Sequence, residues 1–165
     1  MRIEQFLLDA LDSLGIEWTL VEHEAVMTVH ESAQLHVAIP GAHTKNLFLK
    51  DAGGRFWLVT APHDARIDLK ALPALIGSRK LSFGKPDDME RLLGVTPGSV
   101  TPLAAMNDGG GQVTVVIDYA LAQAPRVNVH PLRNSATLGL SGSDLVAFLE
   151  HQGHQPRIVD VQARS

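Results

Sequence analysis

Residues 41–59 alternate hydrophobic and polar side chains along most of their length. Leu47 and Leu49, then Phe56 and Leu58, are apolar at every other position, the period of a half-buried strand. Asp51-Ala52-Gly53-Gly54 lies between the two runs and predicts a hairpin turn. The entrance to the first strand breaks the pattern. His43, Thr44, Lys45 and Asn46 are all polar, and they lead directly into the hydrophobic run.

Elsewhere the apolar spacing is helical. Ile3, Phe6, Leu7, Ala10, Leu11 and Leu14 fall on one face, and Gly15 is a natural stop. Residues 17–22 read as a strand with Trp18, Leu20 and Glu22 on one side. Thr28-Val29-His30-Glu31 predicts a capping box for a helix that ends near Ile39-Pro40-Gly41. Asp68 is placed to cap a helix running toward Gly77, weakened or kinked by Pro73. A short strand over 80–83 and a helix over 86–93 follow, the helix with acidic residues in its first turn and Gly94 at its end.

Residues 112–119 are Val-rich and predict a buried strand. Short strands are expected over 127–129 and 136–140, then a helix capped by Ser143 running through Phe148, and a last strand over 158–161. Strands and helices mix without strict βαβ alternation. That favours a single α+β domain over residues 1–165, built around a mixed sheet, over a Rossmann fold.

Composition narrows the class. A chain of 165 residues can bury a proper core, and 45% hydrophobic with 19% charged residues is ordinary for a soluble globule. The absence of cysteine removes disulfides, thiolate zinc sites and a cysteine nucleophile, and fits a cytoplasmic protein. No apolar run approaches the ~18 residues of a membrane span. The N-terminal stretch is too amphipathic and acidic for a signal peptide. Fourteen Lys and Arg against 18 Asp and Glu give a net charge of −4, which argues against broad nucleic-acid binding. A local basic patch survives this argument. Arg66, Lys70, Arg79, Lys80 and Lys85 lie close together, with Asp68 among them.

Familiar catalytic motifs are missing. His23, His30, His36 and His43 form no HExxH pair, so no metal site is expected. His151 and His154 read as exposed. No GxSxG elbow, GxGxxG or Walker loop occurs, and Gly109-Gly110-Gly111 reads as a mobile loop. Pro97-Gly98-Ser99-Val100-Thr101-Pro102 is either a rigid loop or a substrate-facing one in which Gly98 lets backbone N–H groups approach a ligand. His130, fixed by Pro131, is either structural or a held, ligand-facing imidazole. Taken alone, Lys45 is a surface lysine at the start of a strand.

Three strings together resemble a known family. Thr44-Lys45-Asn46-Leu47-Phe48-Leu49-Lys50-Asp51, residues 93–102 (LGVTPGSVTP) and residues 130–137 (HPLRNSAT) resemble, in order, the free-standing prolyl-tRNA editing proteins. These are similar to the editing domain inserted in bacterial prolyl-tRNA synthetases and to the YbaK-type aminoacyl-tRNA deacylases. The subgroup that clears alanine from tRNA(Pro) is the most similar. Leu103-Ala104 departs from a common Phe-Gly pair, and Val129 stands where an aromatic is common. Both departures would alter pocket shape.

The resemblance implies a strongly curved mixed sheet with surrounding helices and a cofactor-free deacylase. It implies Lys45 and Asn46 as catalytic residues. Thr44, the loop Gly98, Ser99, Val100, Thr101 and Pro102, and His130 would bind the substrate. Arg79, Lys80 and Lys85 are candidates for holding the tRNA acceptor stem and CCA end. Prolyl-tRNA synthetase is a further possible partner, and a monomer is the expected state.

Overall fold

The computed structural model describes residues 3–25 and 29–163, without the side chains of 29–31. The predicted capping box at Thr28 and Glu31 therefore lies outside the described residues. Helix α1 (Glu4–Ser13) leads to β1 (Thr19–Glu22), α2 (Val29–Ala38) and the hairpin β2 (Ala42–Asp51) and β3 (Phe56–Pro62). Then come α3 (Leu72–Ile76), β4 (Leu81–Phe83) and α4 (Pro86–Leu93). The last third holds β5 (Val113–Asp118), α5 (Tyr119–Ala122), β6 (Val127–Val129), β7 (Ala136–Leu140), α6 (Gly142–His151) and β8 (Arg157–Val159).

The eight strands form one mixed sheet in the order β1-β7-β6-β2-β3-β5-β8, with β4 paired to β2. β2 is the hinge of this arrangement. Its start runs parallel to β6, its end runs antiparallel to β4, and its whole central length pairs antiparallel with β3. The α+β expectation is met.

Register explains the packing. Even-numbered residues of β2 share a face with Phe56 and Leu58, and there Phe48 packs with Met89, Leu92, Leu93 and Val100. Odd-numbered residues face the other way, where Leu49 packs with Trp57, Val59, Leu72 and Ile76. The hairpin is therefore buried on both sides, and the half-buried reading was too narrow. The residues between the alternating positions complete both faces: Phe48 lies with Phe56 and Leu58, and Trp57 and Val59 lie with Leu47 and Leu49. A further core under β1, β7 and β6 is closed by α1 and α6 through Leu7, Leu11, Leu145 and Phe148.

Asp51 locks the hairpin. Its carboxylate is 6% exposed and accepts from the backbone N–H of Gly53 (2.9 Å), Arg55 (3.0 Å) and Arg79 (3.3 Å), and from Trp57 Nε1 (3.1 Å). Burial pushes this acid up, but the four hydrogen bonds outweigh it and hold the carboxyl below its ordinary 3.8. The unfolded chain therefore takes up this proton first on acidification. Asp51 stabilises the fold above pH ~4, and that contribution is lost as pH falls below it. Asp51→Ala should cost about 3 kcal/mol, because Trp57 Nε1 in a buried bond and three backbone N–H groups in part-buried bonds lose their acceptor. Urea denaturation at pH 7 measures this, and the deficit should shrink at pH 3.

Several local expectations are corrected. Asp68 does not cap α3; its side chain accepts from Lys70 N and its carbonyl from Ala71 and Leu72, forming a turn before the helix. Pro73 sits in the first turn of α3, where a missing N–H costs nothing, so it starts the helix. Ser141, not Ser143, caps α6, accepting from Asp144 N at 3.0 Å. Gly109–Gly111 is a tied turn: buried Asp108 accepts from Gln112 N (3.0 Å) and Val113 N (2.7 Å). His154 is buried, not exposed, with Nε2 2.9 Å from the Asp108 carbonyl. The last strand is Arg157–Val159, a residue earlier than expected. Two 3-10 turns, Pro97–Ser99 and Pro102–Asn107, and the single-turn α5 have no sequence period long enough to be seen.

Candidate functional site

The polar entrance of β2 divides by strand alternation. His43 and Lys45 project to one face, Thr44 and Asn46 to the other. Lys45 is half-buried, and its Nζ donates to the Ala65 carbonyl in the turn that closes β3. That turn is itself fixed by Ala65 N donating to Pro62 O at 2.9 Å. An ammonium has three donors, so a held Lys45 keeps two for a ligand.

Asn46 does different work. Its Oδ1 accepts from Thr60 Oγ1 at 2.6 Å and its Nδ2 donates to Val100 O at 3.1 Å. The amide is bound at both ends, and it anchors the 97–102 loop to the sheet. These two bonds still leave one Nδ2 N–H and one Oδ1 lone pair of the residue that the sequence suggests as catalytic. Thr44 Oγ1 donates to Asn128 O at 2.8 Å and stitches β2 to β6. Thr60, fully buried, had no sequence signal beyond its place in β3.

Of the expected substrate loop, only Gly98 lies at the surface. Ser99, Val100, Thr101 and Pro102 are buried, and Thr101 Oγ1 accepts from Leu103 N at 3.4 Å to start a 3-10 turn. These four residues pack behind Gly98. Gly98 meets the other motif loop: a methyl group added there would sit 3.3 Å from Asn134 Nδ2. Asn134 was quoted within the HPLRNSAT string but not singled out as a site residue.

The 130–134 segment is held under tension. Leu132 has φ +74°, the one positive φ outside glycine among the described residues, a conformation costing of order 1 kcal/mol or more. Arg133 clamps the segment by pairing with Glu4 at 3.0 Å and Glu22 at 2.7 Å. These carboxylates raise the Arg133 pKa, so the guanidinium stays charged. His130, just beyond β6, is half-buried, with Nδ1 buried and unpartnered by protein. Burial pushes its imidazole down, the Ala136 backbone pulls it up, and His23 lowers it further.

β6 and β2 pair in parallel at Ala42–Val127 and His43–Asn128. Continued two residues, that register would set Lys45 opposite His130. β6 and β4 leave the same edge of β2 at opposite ends. The polar entrance, the Gly98 turn and the His-Pro loop collect around this split.

α2 is fastened over the Lys45 face by imidazoles. His36 on α2 lies 4.2 Å from the His43 ring and 4.1 Å from the His63 ring, centroid to centroid. His43 Nε2 contacts Ile39 O at 2.7 Å, and His36 Nε2 contacts Ser32 Oγ at 3.2 Å. The rings stack and do not converge on a point; among the described residues no three His, Asp or Glu are grouped to hold a metal ion. Burial pushes His36 down to about 4, helped by His43 and His63. Burial also lowers His43, partly offset by the Ile39 carbonyl. The undocked helix therefore protonates first. The stack is intact above pH ~6.5 and should loosen as pH falls toward 4. NMR titration of the His36 ring, with amide exchange across α2, checks this. An ordinary His36 titration near 6.5 would contradict it.

Arg79, Lys80 and Lys85 are exposed around β4. Arg79 and Arg55 also line a recess of about 330 Å³ beside Asp51. A larger cavity, about 680 Å³, lies elsewhere between Trp18, Arg126 and Asp144 and shares none of the candidate residues.

A mixed sheet split around one strand, with a tethered lysine at its mouth and a strained His-Pro loop beside it, makes this an α+β domain with polar residues gathered at one edge of β2. The chain belongs to the aminoacyl-tRNA editing domain family, which matches residues 23–148. It is 40% identical over 162 residues to the prolyl-tRNA editing protein ProX of Acetoanaerobium sticklandii, covering 98% of this chain and 99% of that one. It is also 40% identical over 155 residues to prolyl-tRNA synthetase associated domain-containing protein 1 of Bos taurus, covering 91% and 90% of the two chains. A solved structure described as a candidate trans-editing enzyme for prolyl-tRNA synthetase superposes with a TM-score of 0.73 at 23% identity, covering 99% of both chains. The solved hypothetical protein APE2540 gives 0.75 at 23% identity, covering 95% of this chain and 99% of that one.

Proposed function

We propose that this chain is a trans-editing hydrolase that deacylates alanyl-tRNA(Pro). The observation that carries the reading is Lys45, held by the Ala65 carbonyl at the mouth of β2 with two donors to spare. The family membership and the relatives named above point to the same substrate class.

An aminoacyl ester is activated and needs no protein nucleophile. Water attacks the carbonyl carbon, assisted by the 2′-hydroxyl of the terminal ribose, and the tRNA 3′-oxygen leaves as the ester bond breaks. The protein supplies position and charge. Lys45 holds a phosphate or the ester oxygen on which negative charge develops. The unpartnered Nδ1 of His130 binds the terminal adenosine or the amino acid. The acceptor stem lies along the exposed Arg79, Lys80 and Lys85.

Editing is needed because one missing methylene is worth only about 1–3 kcal/mol in an apolar pocket. Here the larger amino acid must be refused. In this reading the Gly98 turn, next to Asn134 and tied through Val100 O by Asn46, is the wall that excludes proline. Rejection is a steric cost on the wrong ligand. The protein acts as a cytoplasmic monomer and one editing domain, and prolyl-tRNA synthetase is its natural neighbour.

The test is hydrolysis of alanyl- and cysteinyl-tRNA(Pro) by the purified protein, with alanyl-tRNA(Pro) ending in 2′-deoxyadenosine as a third substrate. Loss of alanine that requires the 2′-hydroxyl supports the reading. Preferential loss of cysteine keeps the mechanism and moves the substrate. tRNA binding with no hydrolysis would make the protein a non-catalytic paralogue.

A further inference from the structure

Phe83 is 65% exposed, although it sits in a strand hydrogen-bonded to the middle of the protein. β4 is three residues long. Its Leu81 is buried, Ser82 donates to Lys50 O, and Phe83 ends the strand facing solvent. Phe83 pairs with Leu49, so it lies on the same side of the sheet as the odd-numbered residues of β2, including Lys45. The two residues beside it are spoken for. Gly84 N donates to Phe48 O at 2.8 Å, and any side chain at Gly84 would collide with the Phe48 ring at 2.3 Å. The backbone is thus fixed on both sides of an aromatic ring that packs into no core.

Exposed cations flank that ring in sequence. Arg79, Lys80 and Lys85 are exposed within four residues of it in sequence. The nearest acids in sequence are Asp87 and Asp88 in the first turn of α4, with Asp88 paired to Arg91 at 2.9 Å; Asp51, opposite Leu81, is buried and occupied by the hairpin donors. α4 packs its Met89, Leu92 and Leu93 against the opposite face of the sheet. An exposed aromatic among solvated lysines and arginines is the arrangement that binds unpaired nucleotides, with the base stacked on the ring and the phosphates on the cations.

Distance fits the same occupant. Leu49 is four residues along β2 from Lys45, about 13 Å at the rise of a strand, and β4 is one strand spacing to the side. That places Phe83 roughly 14 Å from the mouth of the site. Stacked nucleotides rise about 3.4 Å each along a strand, so the gap is on the order of four nucleotides. A tRNA whose terminal ester lies at Lys45 would bring the root of its single-stranded 3′ end to Phe83.

We propose that Phe83 is a base-stacking subsite for an unpaired nucleotide of the tRNA 3′ end, several positions upstream of the reacting ester. This rests on the deacylase reading. It assigns the side of β4 as the path by which the acceptor end enters, with Lys80 and Lys85 on its phosphates.

The experiment compares wild type, Phe83→Ala and Phe83→Trp on two substrates, alanyl-tRNA(Pro) and alanyl-adenosine. Alanyl-adenosine lacks every upstream nucleotide. Phe83→Ala should lower kcat/KM on the tRNA about 10-fold or more, mainly through KM, the effect of losing one stacked base. Phe83→Trp should restore it, and neither variant should change hydrolysis of alanyl-adenosine. Equal activity of Phe83→Ala and wild type on tRNA, or equal losses on both substrates, would overturn the subsite. Binding of uncharged tRNA(Pro) is measured alongside. If wild type hydrolyses neither substrate, the deacylase reading fails, and unchanged tRNA affinity in Phe83→Ala would then overturn the subsite separately.

Discussion

Lys45→Ala is expected to slow single-turnover deacylation of alanyl-tRNA(Pro) by about 100- to 1,000-fold, the usual effect of removing one preorganised electrostatic group from a hydrolytic site. The loss should fall on the rate constant more than on tRNA affinity. Affinity is spread over the phosphates and the basic edge around β4, whereas the ester oxygen gains its charge only in the transition state. Folding should lose no more than about 1 kcal/mol, because one part-buried hydrogen bond, to the carbonyl of Ala65, is removed. Lys45→Arg should recover part of the rate, since it keeps the charge and changes the shape of the donor. A Lys45→Ala protein that retains full activity would remove the lysine from the chemistry.

Asn46→Ala should act through structure. It strips the acceptor from Thr60 Oγ1, which is fully buried, and the donor from Val100 O, in a residue 7% exposed. Each group left unpaired costs about 1–3 kcal/mol, so the expected destabilisation is about 2–6 kcal/mol by urea denaturation. The second consequence concerns selectivity. Val100 lies two residues from Gly98, and Gly98 meets Asn134. Releasing that tie should let the wall relax and admit proline. Hydrolysis of prolyl-tRNA(Pro) relative to alanyl-tRNA(Pro) should therefore rise in Asn46→Ala, while both rates fall. A catalytic role for the amide predicts a different pattern: lower rates on alanine with selectivity and stability unchanged. Asn46→Asp sharpens the contrast. A carboxylate can still accept from Thr60 but cannot donate to Val100 O.

The long elements were legible in sequence because their periods are long. α1, α4 and the β2–β3 hairpin repeat their apolar spacing over several turns or pleats. The mixed α+β class followed from their order. The pieces missed were short or held by side chains far away in sequence. α5 and the 3-10 turns are single turns, and Ser141 could not be told from Ser143 without the backbone geometry that aims its hydroxyl at Asp144 N.

The site was partly legible in the same sense. The odd polar entrance at 43–46 and the three motif strings marked residues that the fold brings to one edge of β2. Which way each one points was not marked. Strand alternation sends Lys45 and Asn46 to opposite faces, and only the partners Ala65, Thr60 and Val100 show what holds each one. The imidazole stack of His36, His43 and His63 joins α2 to two strand ends and leaves no local pattern. Phe83 looked like the end of a short strand until its exposure was seen.

The central claim is that the site removes a small amino acid from tRNA(Pro) and refuses proline. Single-turnover hydrolysis of alanyl- and prolyl-tRNA(Pro) by the wild-type protein, under identical conditions, tests it most directly. Rapid release of alanine is expected, with no release of proline above the spontaneous rate. Equal hydrolysis of both, or of neither, would contradict it.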